Sequence, residues 1–138
     1  MQRNSQELME RCFELAEEAR RRGDTPVGSL IIDQNGRILA EASESNRTLD
    51  PFDHAEFLAV RQAVAIRQSC DLSDCMLFTT NEPCFLCSFA IRQTSISHVF
   101  FARRTFGIGG VSSNYPILSA SDVENWKLVP EIILIEEK

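Results

Sequence analysis

The first helix is predicted from apolar residues that recur every three or four positions over residues 5–22. The residues of this stripe are Leu8, Cys12, Leu15, Ala16 and Ala19. Ser5 stands before the stripe and is the predicted N-cap, since its side chain can accept from a free amide of the first turn. The glycine and proline of Gly23-Asp24-Thr25-Pro26 then end the helix.

Two apolar segments on either side of a turn predict a β-hairpin next. The first strand covers residues 27–32, and the returning strand begins at residues 38–42. The turn between them, Asp33-Gln34-Asn35-Gly36, contains the Asn-Gly pair that is typical of hairpins. A loop over residues 47–53 follows the hairpin.

Helical and extended patterns alternate through the rest of the chain. The predicted order is a helix over 54–68, a strand over 75–80, a helix over 85–93, a strand over 97–102, a short helix over 115–125 and a strand over 132–135. Helices that connect neighbouring strands imply parallel pairing, with helices covering both faces of the sheet. The expected fold is a three-layer α/β/α sandwich around a mixed five-stranded sheet.

The composition is typical of one globular domain. A chain of 138 residues with 43% hydrophobic and 25% charged residues can bury one core, so residues 1–138 are expected to form one domain. No apolar run approaches the roughly 18 residues that a membrane-spanning helix needs. The polar residues 1–7 do not resemble a signal peptide, and we therefore expect a cytoplasmic protein.

The net charge of −6 disfavours a general nucleic-acid binder. The charge is unevenly distributed, because no acidic residue occurs between positions 83 and 121. Arg92, Arg103 and Arg104 lie in this acid-free stretch, and we interpret them as solvated surface residues. The alternative is that this side of the molecule is less negative than the whole.

The chain contains five cysteines, and an odd number favours metal binding or free thiols over a disulfide framework. Cys12 lies on the apolar stripe of the first helix and is predicted to be a core thiol. Cys70 and Cys75 flank a turn without a histidine nearby, so we interpret them as free thiols. Cys84 and Cys87 form a C-x-x-C pair, which is the strongest metal-binding signal among them.

The residue types of a catalytic zinc site occur in two short segments, His54-Ala55-Glu56 and Pro83-Cys84-Phe85-Leu86-Cys87. Zinc binds imidazole and thiolate, and a catalytic site uses three protein ligands so that water can take the fourth position. Cysteines three apart at a helix start can face one metal, and the positive helix end favours thiolates. A carboxylate close to the metal can carry protons without binding it.

Two other interpretations of these residues stay open. A closed structural zinc site would need His98, Cys70 or Cys75 as a fourth ligand, and none of them lies in a metal-binding motif. A thioredoxin-like redox pair would use Cys84 and Cys87 alone, which leaves the H-x-E segment unexplained.

H-x-E followed by P-C-x-x-C is the known signature of the zinc nucleobase deaminases. The chain resembles the cytidine deaminase superfamily, within it the branch of tRNA adenosine deaminases, guanine deaminases and fungal-type cytosine deaminases. The resemblance covers nearly the whole chain. Its anchors are Pro26-Val27-Gly28, Asn46, Asp50-Pro51, His54-Ala55-Glu56 and the segment 80–87.

The resemblance implies a cytidine deaminase-like fold with one Zn²⁺ per subunit, held by His54, Cys84 and Cys87. Glu56 would be the catalytic residue, which shuttles protons while water replaces an exocyclic amine and ammonia leaves. The resemblance also implies a homodimer at least.

The resemblance places the substrate against four further positions. Asn46 would hydrogen-bond the base, and the backbone near Val27, Gly28 and Ser29 would line the pocket. Ser29 departs from the family, in which alanine is common at this position.

Other candidate substrate contacts lie in loops. The loop between Asn46 and the H-x-E segment is shorter than in relatives, and Asp53 within it would either contact substrate or cap the following helix. Among the loop aromatics Phe52, Phe106, Tyr115 and Trp126, Phe106 and Tyr115 flank Gly107-Ile108-Gly109-Gly110 and are the better candidates for a pocket wall. This glycine-rich loop is too weak a motif to indicate phosphate binding.

The function predicted from the sequence is hydrolytic deamination of a free nucleobase, nucleoside or related amino-heterocycle, of guanine or cytosine type. The alternative is a tRNA adenosine deaminase, which the acidic composition and the expected end of the chain without a basic helix disfavour. A catalytically silent zinc-binding module on the same scaffold is the third possibility, and it would have no need of Glu56.

Overall fold

A computed structural model describes residues 4–136 and has the expected three-layer architecture. Its elements are α1 (Ser5–Arg22), β1 (Gly28–Ile32), β2 (Ile38–Ser43), α2 (Ala55–Arg67), β3 (Met76–Asn81), α3 (Phe85–Gln93), β4 (His98–Arg103) and β5 (Glu131–Leu134). Positions 1–3 and 137–138, which belong to the predicted domain and to the polar start, lie outside the described residues. Over 4–136, no helix is both long and apolar enough to cross a bilayer.

The sheet is mixed and five-stranded, with the order β2-β1-β3-β4-β5, which confirms the predicted class. β1 pairs antiparallel with β2 and with β3, whereas β4 pairs parallel with β3 and with β5. Because parallel strands end at the same edge of a sheet, the segments that follow β3 and β4 meet there. The P-C-x-x-C segment follows β3, so this edge carries half of the candidate site.

One face of the sheet is covered by α1, whose buried stripe packs on β1 and β3. The buried members of this cluster are Leu8, Met9, Cys12, Leu30, Ile32 and Phe78. Cys12 is fully buried, which confirms the predicted core thiol. Gly28 lets α1 lie this close, because a Cβ there would collide with the backbone of Cys12 and Ala16.

The first helix covers its predicted range, but its N-cap lies one residue earlier than predicted. Asn4 is the N-cap, and its Oδ1 accepts a hydrogen bond of 2.9 Å from the Glu7 amide, so the prediction of Ser5 as N-cap is wrong. Ser5 is instead the first helical residue. The side-chain oxygen of Asn4 accepts from a free amide of the first turn, as the Ser5 hydroxyl was expected to do. Sequence patterns place helix ends only to within one or two residues.

The opposite face is covered by α2 and α3, and these two helices carry the candidate site. Their small and apolar residues pack on the strands in one cluster that includes Ile31, Ala59, Val60, Ala63, Leu77, Ala90, Ile91 and Val99. Ile66, near the end of α2, is 63% exposed.

The predicted helix over 115–125 is wrong, and the segment forms turns. Arg92 accounts for this difference. Its Nη1 donates to the backbone carbonyls of Ile117, Leu118 and Ala120, and its Nη2 donates to that of Trp126. These carbonyls therefore accept from a guanidinium rather than from the amides of a helix.

Arg92 itself corrects a second expectation. Its residue is 3% exposed, so it is not a solvated surface arginine. Arg103 and Arg104 are exposed as predicted, and the Arg103 guanidinium lies over the ring of Phe13. The acid-free stretch therefore contains one buried structural cation and two surface cations.

Candidate active site

Two helix starts bring together the three predicted metal ligands. His54 is the N-cap of α2, Cys84 is the N-cap of α3, and Cys87 lies in the first turn of α3. The His54 Nδ1 atom is 3.4 Å from the Cys84 sulfur and 3.6 Å from the Cys87 sulfur. All three donor atoms lie within 4.8 Å of one another.

These separations suit one tetrahedral zinc ion. Zn–S bonds of about 2.3 Å and Zn–N bonds of about 2.0–2.1 Å place a nitrogen and a sulfur ligand about 3.6 Å apart. Among residues 4–136 the metal-binding group contains one nitrogen and two sulfurs, and His98, Cys70 and Cys75 do not join it. His98 instead pairs with Glu131 across β4 and β5, at 3.1 Å. The closed four-ligand site therefore has no candidate fourth side chain in this part of the chain.

The two sulfurs are electrostatically different. A hydrogen bond from the Cys87 thiol, together with one from His54, lowers the pKa of Cys84 to about 4 despite partial burial. The same contact with Cys84, followed by burial, raises the pKa of Cys87. The protein groups alone thus already favour one thiolate, which is the form that binds a metal.

Glu56 lies in the first turn of α2, two positions after the imidazole ligand, and is 4% exposed. Burial raises the pKa of Glu56, and the negative charge of Glu44 raises it further, to about 8. Its Oε1 is buried and has no hydrogen-bond partner within the described residues. A carboxyl group with an available oxygen and a raised pKa suits a proton carrier near neutral pH.

Glu44 is a site residue that the sequence did not reveal. Its Oε1 accepts a hydrogen bond of 3.1 Å from the Ala55 amide, and His54 makes no side-chain cap bond. The interpretation of Asp53 as the helix cap is therefore wrong. The Asp53 carboxylate accepts from the Ser45 hydroxyl at 3.5 Å, and its role toward substrate stays a prediction. Glu44 follows β2 and carries no local signal of a cap eleven positions downstream.

Asn46 is tied to the turn before β1. Its Oδ1 accepts from the Thr25 amide at 3.2 Å, and its Nδ2 donates to the Thr25 hydroxyl at 2.9 Å. The adjoining loop is held by Asp24, whose Oδ1 accepts from the amides of Arg47 and Thr48 at 2.9 Å each. These contacts fix the Asn46 side chain, and its proposed contact with the base stays a prediction.

Asp24→Asn is expected to lower thermal stability at pH 7 and to have little effect in acid. Although burial opposes ionisation, hydrogen bonds from Arg47, Thr48 and Arg22 hold the pKa of Asp24 below its ordinary value of 3.8. The ionised carboxylate therefore stabilises the fold above about pH 4, and this contribution is lost as the pH falls through the folded pKa. Thermal melts from pH 7 to pH 3 measure the difference.

The melting temperatures of wild type and Asp24→Asn should differ by a few degrees at pH 7, and the difference should become smaller as the pH falls toward 3. Asp122→Asn makes the same chemical change at an exposed position and serves as the control. A difference that is as large at pH 3 as at pH 7 contradicts this account.

The predicted pocket backbone lies at the start of β1. Val27 and Ser29 are buried, and the Gly28 amide donates to the Thr80 hydroxyl at 3.2 Å. Ser29 pairs in register with Thr79, and both buried hydroxyls lack a partner within the described residues. The sequence did not indicate that these two hydroxyl groups lie side by side on the sheet face covered by α2. The contact of Val27, Gly28 and Ser29 with substrate stays a prediction.

Glu82 is a second residue that the sequence missed, and it is 1% exposed. Its Oε2 accepts from the amides of Val111 and Ser112 at 2.8 Å each, and its Oε1 accepts from the Ser112 hydroxyl at 2.7 Å. These bonds hold its pKa below the ordinary range, against the effect of burial. The sequence did contain one signal for this role. Glu82 is the last acidic residue before the acid-free stretch, and amides of that stretch donate to it.

The glycine-rich loop is packed against the ligand segment. The Gly110 amide donates to the Pro83 carbonyl at 2.8 Å, and Gly109 forms a β-bridge with Cys84. A Cβ at Gly109 would collide with the Glu82 carboxylate, so glycine is required for this approach. The loop therefore positions a metal ligand.

Three of the four loop aromatics remain accessible. Phe106 is 90% exposed, and Phe52 and Tyr115 are also exposed, with the Tyr115 ring edge-on to Phe85 at 6.2 Å. Trp126 instead packs edge-on against Phe89 at 5.5 Å, which is ordinary packing. The roles of Phe106 and Tyr115 as pocket walls stay predictions.

The fold, the three-ligand group and the buried carboxyl beside it together define a zinc-type deaminase domain. Residues 2–103 match the cytidine and deoxycytidylate deaminase zinc-binding region, and the chain belongs to this family. It is a zinc aminohydrolase, and the group of His54, Cys84 and Cys87 could hold the ion.

A similar curated relative is the tRNA-specific adenosine deaminase of Aquifex aeolicus (strain VF5). It is 34% identical over 119 residues, which cover 83% of this chain and 78% of the relative. A solved guanine deaminase from Bacillus subtilis is 35% identical with a TM-score of 0.70, covering 74% of this chain and 66% of that one.

A third similarity concerns the fold alone. A structure from work on A-to-I editing by tRNA:A34 deaminases at the wobble position of transfer RNA has a TM-score of 0.83 at 24% identity. It covers 94% of this chain and 98% of that chain. The whole described domain thus has the architecture of a known deaminase.

Proposed function

We propose that this enzyme deaminates adenosine within tRNA, converting it to inosine. The observation that carries this proposal is the 34% identity to a tRNA-specific adenosine deaminase over 83% of the chain. The sequence alone favoured a small free substrate because of the net charge of −6. Net charge, however, does not describe the surface beside the site.

The surface beside the site supports an RNA loop as substrate. Arg104 is exposed in the acid-free stretch, at the sheet edge where β4 ends beside the P-C-x-x-C segment. Phe52 is exposed in the loop before His54. Phe106 is exposed in the segment between Thr105, which bonds Glu82, and Gly109, which forms a β-bridge with Cys84. Proteins recognise unpaired RNA bases by stacking them on aromatic side chains and by contacts to phosphate. Phe52 and Phe106 offer rings for stacking, and Arg104 offers a cation for a phosphate.

Glu56 is the residue that we place in the catalytic role. A bound zinc ion supplies a Lewis acid that lowers the pKa of water, so that hydroxide is available near neutral pH. Glu56 accepts a proton from the attacking water and donates it to the ring nitrogen beside the reacting carbon. The remaining water oxygen and its proton add to the reacting carbon as a hydroxyl group. Glu56 would then move the proton of that hydroxyl to the exocyclic amine, so that the C–N bond breaks and ammonia and inosine are the products.

The remaining proposed site residues bind and orient the base. Asn46 and the backbone at Val27, Gly28 and Ser29 would face the heterocycle, with Phe106, Tyr115 and Asp53 on its outer side. For Asn46 and residues 27–29 this arrangement follows from the family resemblance. For Asp53 it follows from its position beside His54, and for Phe106 and Tyr115 from their positions on either side of the glycine-rich loop.

Deamination of a tRNA anticodon stem-loop tests the proposed substrate. We expect inosine in the RNA, and binding that weakens by about tenfold between 50 and 200 mM salt, as about two phosphate contacts predict. Arg104→Ala should reduce the salt dependence and leave a zinc content equal to that of wild type. Absence of both RNA binding at low salt and inosine formation ends the RNA proposal.

The second candidate is a free base of guanine type, favoured by the 35% identity to a guanine deaminase. Ammonia release from guanine, cytosine, adenine, their nucleosides and aminotriazines measures it. Turnover of a free base without inosine in RNA selects this function. Release from no substrate at all supports the catalytically silent module.

We also propose a homodimer, in keeping with the family resemblance. Ile66 on α2 and Phe89 on α3 are large apolar side chains that are 63% and 51% exposed, and a second subunit would cover them. Light scattering of the purified protein measures the assembly mass.

A further inference from the structure

The start of α2 is capped from outside the helix. This helix end carries both an imidazole ligand and Glu56, yet its N-cap residue His54 makes no side-chain cap bond. The first amides of a helix lack partners within the helix and need another acceptor. Glu44, at 5% exposure, supplies that acceptor to Ala55 from the end of β2.

Glu44 is itself rigidly held. Its amide donates to the Val27 carbonyl at 3.0 Å, beside the start of β1. Its carbonyl accepts from the Arg22 guanidinium at 2.9 Å, at the end of α1. The carboxylate therefore extends from a backbone segment that is fixed on two sides.

The neighbouring residue strengthens the same connection. The Ser45 amide donates to the Asp53 carbonyl at 3.0 Å, and its hydroxyl reaches the Asp53 carboxylate at 3.5 Å. Residues 44–45 thus contact residues 53–55 at three points.

We propose that Glu44 is a positioning residue of this active site, which holds the first turn of α2 so that Glu56 and His54 keep their places. This inference rests on the proposed role of Glu56. An unanchored first turn frays, and a misplacement of about 1 Å in a catalytic group can cost about 10²-fold in rate. Glu44 acts through its hydrogen bond to Ala55 and not through its charge.

Two variants separate the hydrogen bond from the charge. Glu44→Gln keeps an oxygen at the same reach and removes the charge, whereas Glu44→Asp keeps the charge and is too short to reach the Ala55 amide. We expect kcat of Glu44→Asp to fall by about tenfold with KM and zinc content unchanged. We expect Glu44→Gln to stay within about threefold of wild type.

Asp74→Asn is the matched control, because Asp74 anchors the other end of α2 through its ion pair with Arg67 at 2.8 Å. It should lower the melting temperature and leave kcat at the wild-type value. Equal kcat losses in Asp74→Asn and Glu44→Asp would show a general stability effect and overturn the proposal. So would wild-type kcat in Glu44→Asp, or a larger loss in Glu44→Gln than in Glu44→Asp.

Metal release gives a readout that does not depend on turnover. Transfer of bound zinc to a chelator should be about tenfold faster in Glu44→Asp than in Glu44→Gln, since His54 is held by the same helix start. If wild type binds zinc but deaminates nothing, the proposed function fails, and this rate still tests the positioning role. Equal release rates in the two variants would overturn it.

Discussion

Glu56→Gln is expected to lower kcat by about 10²–10⁴-fold while the protein keeps its zinc. The carboxamide has nearly the same shape as the buried carboxyl group, so folding and the three metal donors are preserved. It cannot accept and return a proton, which is the role that we assign to Glu56. Steady-state ammonia release and metal analysis of the same preparation measure the two quantities.

The control for this variant is Glu124→Gln, which makes the same chemical change at an exposed position. It should match wild type in both zinc content and kcat. Full activity of Glu56→Gln with bound zinc would remove Glu56 from the mechanism. Loss of zinc in the variant would instead indicate that the carboxylate helps to hold the metal.

Cys87→Ser is expected to lower zinc affinity by more than about 100-fold, the upper end of the effect of losing an outer-shell partner. A hydroxyl is a poor substitute for a thiolate, and the remaining pair of His54 and Cys84 cannot hold the ion tightly. Deamination should fall to background, and the melting temperature should fall because a ligand bound by the folded state stabilises it. Metal analysis and thermal melts measure these changes.

Cys70→Ser is the matched control, since Cys70 is an exposed free thiol outside the ligand group. This variant should retain wild-type zinc, activity and melting temperature. A chelator should bring wild type toward the melting temperature of Cys87→Ser and leave that of Cys87→Ser unchanged. Tightly bound zinc in Cys87→Ser would exclude this sulfur as a ligand.

The helices and strands were predictable where a local period was strong. The boundaries of α3 were predicted without error, and most strands are displaced by one residue from their predicted ranges. The segment 115–125 was predicted as a helix because its composition permits one. The guanidinium of Arg92, more than twenty positions away, donates to backbone carbonyls that would otherwise accept from helix amides. No local sequence pattern predicts this long-range contact.

The ligand set was predictable because its chemistry is written in two short motifs. His54, Cys84 and Cys87 each stand at a helix start, and helix starts can be located from local sequence. The substrate was not predictable in the same way. Net charge is a property of the whole chain, whereas a substrate meets only the surface beside the site.

The sequence by itself determined every helix and strand outside residues 115–125, the sheet class and the three candidate metal donors, since each rests on a local pattern or a short motif. The tertiary structure alone decided which carboxylates support the site. Glu44 bonds an amide eleven positions away, and Glu82 bonds groups 23 to 30 positions away. Such contacts arise when strands and helices pack, because packing, and not spacing along the chain, determines which buried acceptor meets which free amide.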